Sequence, residues 1–480
     1  MSAPAIVWFR NDLRLSDNPA LTAAARSGAP LVALYILDDE SPGEWSAGGA
    51  SRWWLHHSLA ALSETLAKRG VPLTLRRGRA QYVFEQIVAE TGADAVFWNK
   101  LYEPWAIRRD AELETQLRED GVKSYCFHDS LLFEPEKLRT KQGESFRMFT
   151  PFWRACLASP PPELPLPAPK SLQTAPLAPK SDDLTAWRLL PQDPDWAGGM
   201  REAWLVGETA ARAELADFAR HHVGDYKVER DFMGRVGVSR LSPHLHFGEL
   251  SPREVWRAIS EPGTIGGEAY LRELGWREFC HHLLIAHWDL PERPLDRSFE
   301  CFPYCDDETA LDAWRKGQTG YPLVDAAMRE LWITGWMHNR ARMVAASFLT
   351  KHLLIDWREG ERWFWVTLVD ADLANNSANW QWVAGCGADA APYFRIFNPA
   401  LQGKKFDPDG AYVRRYVPEL AGLDARYIHR PWAAPENVLR AAGVRLGDTY
   451  PHPIVDDALA RKRALAAFES MRGEALLRPA

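Results

Sequence analysis

The chain has no CxxC pair, no glycine-rich dinucleotide fingerprint, no membrane-length apolar run and no surplus of positive charge. Each absence excludes something. The six cysteines (Cys126, Cys156, Cys280, Cys301, Cys305 and Cys386) are scattered. Cys301 and Cys305 have the spacing of one helical turn, but nothing nearby completes a ligand set. Neither a structural zinc nor an iron–sulfur cluster is therefore expected. Unpaired thiols suit a reducing, cytoplasmic setting. The lack of a long apolar run argues against membrane passage. Met1 to Pro4 lead straight into a strand-like segment, so no signal peptide is expected. The net charge of −7 means that any DNA site must be a local basic patch, because phosphate attraction is screened over ~10 Å.

What is present divides the 480 residues into two parts. AIVWF near Ala5, LVALYILDD (Leu31 to Asp39), PLTLRRG (Pro72 to Gly78) and AVFWNKLYE (Ala95 to Glu103) read as four buried strands. Helical patterns separate them, which predicts a parallel, Rossmann-like α/β domain over residues 1–130. No GxGxxG opens its first helix, so a conventional dinucleotide site there is not expected. Residues 131–201 read as an interdomain linker, proline-rich at 159–180, where missing backbone donors favour extended chain. Beyond it, apolar residues recur at spacings of three and four, predicting an all-α domain over 202–480. There is no internal repeat. The 22 tryptophans are an unusual load, and core packing accounts for many of them.

Three stretches carry chemistry. In YLRELGWREFCHHLL, Glu273, Trp276 and Arg277 stand at i, i+3 and i+4, on one helical face. An acid, an indole and a guanidinium can together hydrogen-bond and stack a heterocycle. A surface Glu–Arg pair beside a core indole gives the same pattern. Asn339, Arg342 and Met343 repeat the spacing, with an amide that both donates and accepts and a soft apolar sulfur. Asp370 and Asp372 precede a tryptophan-rich segment, where helix capping is the plainer role.

These residues carry a family resemblance. ELGWREF, TGYPLVDAAMRELWITGWMHNRARM, IDWREGER and NWQWVAGCGADAAPYFRIFNP closely resemble the FAD-binding core of the DNA photolyase and cryptochrome family. GDYKVERDF with SRLSPHLHFGELSP is similar to the family's phosphate-binding loop, and VWFRNDLRLSDNPAL to its N-terminal signature. The resemblance implies an α/β domain followed by a helical FAD-binding domain. It implies light-driven cleavage of cyclobutane pyrimidine dimers by one electron lent from excited, reduced FAD to a flipped-out dimer. It places Tyr226, Ser239, Arg240, Leu241, Ser242, Tyr270 and Arg277 against FAD, together with Arg342, Asp370, Asp372 and Asn376. Arg342 would pair with Asp370, and Asn376 would face flavin N5. Glu273 and Asn339 would bond the dimer, Trp276 and Trp382 pack its sides, and Met343 lie beneath. Arg277, Arg340, Arg395, Lys404 and Lys405 would contact DNA phosphates. Damaged DNA is the implied partner of a monomeric protein, with no metal.

The pattern departs from the family in two places. Trp380 and Trp357 match the first two members of its electron relay, but Tyr304 stands where the third tryptophan is usual, with Trp363 or Trp365 as another exit. Trp105 and Ala106 replace the Asn and Glu of well-known folate-binding relatives. A second, antenna chromophore is expected nonetheless, methenyltetrahydrofolate ahead of a deazaflavin. A (6-4) photolyase would carry paired histidines where Asn339 and Met343 stand. A cryptochrome-type blue-light sensor is the other alternative within the family. An ordinary FAD oxidoreductase would need the glycine fingerprint and a substrate acid–base group, and no convincing set is present.

Overall fold

The four apolar runs are strands, and a fifth joins them. The computed structural model describes residues 3–260, 266–390 and 395–475. β1 (Ala5–Phe9), β2 (Leu31–Leu37), β3 (Leu73–Arg77), β4 (Ala95–Asn99) and β5 (Lys123–Phe127) form one parallel sheet in the order β3-β2-β1-β4-β5. Ile6 and Trp8 pack into the core on one face, Val7 and Phe9 into the core on the other. Burial on both faces is what a run without polar alternation demands. β5 is an edge strand whose residues Lys123 to Cys126 are exposed, so no apolar run marks it in the sequence. The helices α1 (Pro19–Arg26), α2 (Gly49–Ala67), α3 (Ala80–Thr91) and α4 (Pro104–Glu119) cover the sheet. α1 starts at Asn18–Pro19: the Asn18 side chain accepts from Leu21 N, and proline fills the first turn.

β1 has β2 on one side and β4 on the other, and a doubly wound sheet takes its ligand at such a switch point. Here the crevice is filled from within. Arg10 bonds Asp110 at 2.6 Å and the Asn99 carbonyl, and Asn99 Nδ2 donates to Asp12 at 2.6 Å. Arg109 lies 4.6 Å from the Trp8 ring centroid and 5.0 Å from that of Trp105.

The proline-rich stretch runs extended over this domain, with Leu31 N donating to Gln173 O at 2.6 Å. Earlier in the same connecting region, the helix Phe149–Ala158 packs into the core of the helical part through Phe149, Phe152 and Trp153. Cys301 ends a short turn, Arg297–Cys301, and Cys305 lies beyond it in irregular chain, so the two do not share a helical turn. The helical part centres on Gly267–Ala286, Pro322–Thr334, Asn339–Ser347, Trp357–Thr367 and Leu373–Ala384. Gly335, at φ +67°, caps the second of these. The motif residues 391–394 lie outside the described residues.

Buried charge joins the two halves. Arg14 meets Asp129 at 2.6 Å, and Arg253 meets Asp129 at 3.0 Å and Asp17 at 2.9 Å. Arg14, Asp17 and Asp129 belong to the first half and Arg253 to the second. Gly248, at φ +64°, lies so close to Asn11 that any Cβ would collide with its carbonyl. Asp129→Ala would remove the carboxylate partner of buried Arg14 and one of the two carboxylates that hold Arg253. It is expected to lower the unfolding free energy by about 3–5 kcal/mol, measured by urea denaturation.

Candidate active site

The helix Gly267–Ala286 does not use its Glu273–Trp276–Arg277 face as one unit. Trp276 stacks on Phe149, centroids 3.8 Å apart and planes at 5°. Arg277 turns inward, donating to Ser130 O at 2.8 Å and to Glu278 at 3.3 Å. Its side chain is 15% exposed, and the structure does not bring it to Glu273. Glu273 pairs instead with Arg230, which also lies 5.4 Å from the Tyr226 ring centroid. Arg230 was not singled out from sequence, because its partner is 43 residues away.

Tyr226, Tyr270 and Ser239 form a compact polar corner. The two rings meet edge-on at 5.1 Å, and the Tyr270 and Ser239 hydroxyls lie 2.8 Å apart. Leu241 is buried, while Ser242 accepts from Trp336 Nε1 at 3.2 Å. Arg240, at φ +52°, stacks its guanidinium 4.1 Å from the Trp204 centroid and 5.4 Å from that of Trp336.

The helix Asn339–Ser347 begins at His338, whose Nδ1 accepts from Arg340 N at 3.1 Å. Asn339 is exposed, its amide nitrogen 4.0 Å from Met343 Sδ. Arg340 donates to Asp231 at 2.7 Å. Asp231 follows Arg230 in the chain, so two ion pairs on adjacent residues tie Glu273 and Arg340 together and bring the two helices to one place. Arg342 holds Met337 O at 2.8 Å and bridges both oxygens of Asp370 at 3.0 and 2.8 Å. Asp372 caps the helix Leu373–Ala384, accepting from Asn375 N at 2.8 Å. Its other oxygen lies 3.3 Å from His281 Nε2 and 3.9 Å from His246 Nδ1. Burial alone would raise this carboxyl, but the two imidazoles hold it well below the usual range. Neither histidine was singled out from sequence.

Asn376 is buried and donates to Glu361 O at 3.0 Å. Trp380, one turn on, is buried edge-on to Phe364 at 4.9 Å and presses on the helix Trp357–Thr367 where Gly360 leaves room. Trp357 is fully buried at the start of that helix, with Arg358 4.7 Å from its centroid. Tyr304 packs on Phe302 at 4.7 Å and borders a cavity of about 280 Å³ that Asp307, Asp356 and Glu359 also line. Burial pushes its hydroxyl well above the ordinary value. Trp363 stacks on Trp332 at 6.1 Å, and Trp332 is 55% exposed. Trp365 donates to Ser46 O at 2.8 Å. Trp382 is partly buried against the helical core. Lys404 and Lys405 are exposed on the helix Pro399–Phe406, and Arg395 is exposed before it.

Several buried atoms in this region lack a hydrogen-bond partner: Arg240 Nε, His246 Nδ1, His281 Nδ1, His338 Nε2 and Glu361 Oε2. Buried polar atoms are normally satisfied. Such a set beside a tyrosine–serine corner and a paired arginine fits a large, polar, phosphate-bearing cofactor.

A five-stranded parallel α/β domain joined to a helical domain with this site is the architecture of a two-domain flavoprotein. Residues 270–470 match the family model for the FAD binding domain of DNA photolyase, and residues 5–170 match the DNA photolyase model. The chain is 52% identical to the deoxyribodipyrimidine photo-lyase of Agrobacterium fabrum, over 98% of each chain. It is 40% identical to cryptochrome-1 of Arabidopsis thaliana, over 95% of this chain and 69% of that one. Its fold is similar to the crystal structure of a bacterial class III photolyase from Agrobacterium tumefaciens, with a TM-score of 0.95, 51% identity and 98% of each chain covered. The chain belongs to the DNA photolyase family.

Burial lowers both His338 and His282 from 6.5 to about 4. The unfolded chain therefore takes up these protons first as pH falls. The stability owed to the two neutral imidazoles is complete above pH 6.5 and is lost progressively down to pH 4, by about 3 kcal/mol for each. Proton NMR titration should show both rings neutral at pH 6.

Proposed function

We infer that the protein reverses cyclobutane pyrimidine dimers in DNA by light-driven electron transfer, as a carbon–carbon lyase. The observation that carries this reading is one helical domain with two unlike surfaces in contact. One is a partly exposed face that can bond and pack a heterocycle, built from Glu273, Arg230, Asn339 and Met343. The other is a dry aromatic interior, Trp380 and Trp357, reached through Asn376.

Held there, FAD would supply the one-electron chemistry of dimer opening. On this reading Tyr226, Ser239 to Ser242 and Tyr270 hold its phosphate end. Arg342, Asp370, Asp372 and Asn376 border its ring end. Asp370 keeps the Arg342 guanidinium fixed, and Asp372, ionised between two imidazoles, is an acceptor only. The Asn376 amide is held by Glu361 O, which leaves its oxygen to face the ring. Glu273 and Asn339 accept from and donate to the flipped pyrimidines, while Met343, Trp276 and Trp382 exclude water from their sides. Extrusion of the lesion costs a few kcal/mol, less where pairing is already damaged. Arg340, Arg395, Lys404 and Lys405 meet the backbone without reading sequence. Arg277, committed to Ser130 and Glu278, contributes by holding the helix rather than by touching DNA.

A second chromophore belongs to the proposal as well. The filled sheet crevice disfavours a deep, flat tricycle there, so methenyltetrahydrofolate on a shallower surface is preferred to a deazaflavin. Among the described residues no helix is long and apolar enough to cross a membrane. A monomeric, cytoplasmic protein completes the reading.

Titration in the dark with a dimer-containing duplex and its intact counterpart tests substrate recognition. The wild type should prefer the damaged duplex, and affinity for both should fall as salt rises. Trp276→Ala should mainly erase the preference; equal affinity in the wild type would refute the assignment.

Trp380→Phe tests the relay separately. It should block photoreduction of oxidised protein while leaving repair by chemically reduced protein largely intact. Tyr304→Phe should do less, because Trp363 and the exposed Trp332 offer a second way out. Transient absorption on oxidised protein would read both.

A further inference from the structure

The turn that presents Asn339 is held from beneath by one carboxylate. Glu330 lies on the helix Pro322–Thr334, nine residues before Asn339, and is buried. Its Oε2 accepts from His338 N at 3.1 Å and from the Tyr412 hydroxyl at 2.6 Å, and its Oε1 accepts from Tyr416 at 3.3 Å. His338 is the cap residue of the helix that Asn339 begins. The rest of the turn is pinned as well: Thr334 Oγ1 accepts from Trp336 N at 3.2 Å, and Arg342 holds Met337 O at 2.8 Å.

The two tyrosines come from one face of the short helix Ala411–Tyr416, four positions apart. That helix is fastened to the basic helix Pro399–Phe406 through Asp407, which accepts from Tyr412 N at 2.9 Å and Val413 N at 3.2 Å. The Phe406 ring in turn lies 4.5 Å from the Arg340 guanidinium. Glu330 thus joins the turn bearing Asn339 and Arg340 to the segment bearing Lys404 and Lys405. These are the base-side and backbone-side groups of the proposed DNA surface.

We infer that Glu330, through Tyr412 and the His338 amide, is a positioning residue that sets Asn339 and the basic helix in register for lesion recognition. The inference rests on Asn339 meeting the lesion. Glu330 touches neither DNA nor cofactor in this arrangement. Its effect should therefore appear as lost discrimination between damaged and intact DNA, with flavin retained.

The test uses flavin-loaded full-length protein, titrated in the dark with a duplex carrying one cyclobutane dimer and with the same duplex undamaged. Wild type, Asn339→Ala, Glu330→Ala, Glu330→Gln and Tyr412→Phe are compared, each with flavin per chain and thermal midpoint measured. Glu330→Ala should cut the damaged-to-intact affinity ratio by about tenfold, the order expected when buried donors lose their acceptor. Glu330→Gln should recover most of the ratio, because its amide oxygen still accepts from His338 N and Tyr412. Tyr412→Phe should fall between. A folded, flavin-loaded Glu330→Ala protein with a wild-type ratio overturns the inference. So does a Glu330→Gln protein as impaired as Glu330→Ala, which would mark a merely structural charge. If Glu330→Ala does not fold, Tyr412→Phe decides: an unchanged ratio overturns the inference. An unchanged ratio in Asn339→Ala removes the lesion contact itself, and this inference with it. The same variant failing to lower the ratio while Trp276→Ala erases it would locate the error in Asn339 and leave dimer repair standing.

Discussion

The buried charge at the domain seam is the constraint on which the site's geometry depends. Arg14 and Arg253 can be buried only because Asp17 and Asp129 lie against them. Arg253 follows directly on the loop and helix that bear Ser239, Arg240, Leu241 and Ser242. Between them, Glu249 is fully buried, held by His244 and by Trp54 Nε1 of α2 at 3.1 Å. Gly248 is pressed on Asn11, and Leu13 N donates to Phe247 O at 3.1 Å. The proposed phosphate loop is therefore clamped by the α/β domain, although it belongs in sequence to the helical one. The first domain thus constrains the proposed phosphate loop mechanically.

The sequence made the elements legible where burial is uniform or strictly periodic. β1, β2 and β4 are buried throughout, and their apolar runs say so. β5 escaped because an edge strand with exposed Lys123 and Ser124 has no such run. Spacing identified the face shared by Glu273, Trp276 and Arg277 but not what each side chain would meet. Neighbours at i, i+3 and i+4 share a face, yet the bonds are chosen by elements far away in the chain. Glu273 turns to Arg230, Trp276 to Phe149 and Arg277 to Ser130. Glu330 shows the same limit more sharply. Its partners Tyr412 and Tyr416 lie 82 and 86 residues on, and nothing in MRELWITGW distinguishes it from an ordinary helix-surface acid.

The carboxyls of the helical domain divide by what surrounds them, and the division matches their proposed work. Asp325, Glu330 and Glu361 are raised by burial and bonded by hydroxyls: Thr319 and Tyr450, Tyr412 and Tyr416, and Ser377 respectively. Hydroxyl donors satisfy a carboxyl without a cationic partner, so these groups tie helices together from within the core. Asp370 and Asp372 instead face a guanidinium and two imidazoles. The imidazoles beside Asp372 favour its ionised form and hold it well below the usual carboxylate range, which sets it apart from the buried carboxyls bonded by hydroxyls.

The same domain holds the buried indoles of the proposed electron path. Charge moving between buried indoles is disturbed least when no mobile ion or water stands beside them. Trp357 and Trp380 are nearly inaccessible, and Gly360 allows Trp380 to lie directly against the helix that Trp357 begins. A side chain at Gly360 would push the indole away and open a gap, so the glycine serves the path by closeness rather than by flexibility. Tyr304 ends this dry region differently from a tryptophan. Its hydroxyl is hard to ionise in place, yet it borders a cavity lined by Asp307, Asp356 and Glu359. A phenol releases its proton readily only once it has lost an electron. A buried tyrosine at the edge of an acidic cavity therefore resists charge at rest and has carboxylates within its surroundings once oxidised. On the proposed relay the tyrosine would keep a route outward while tying the last step to a proton, a coupling that an indole at the same place would not require.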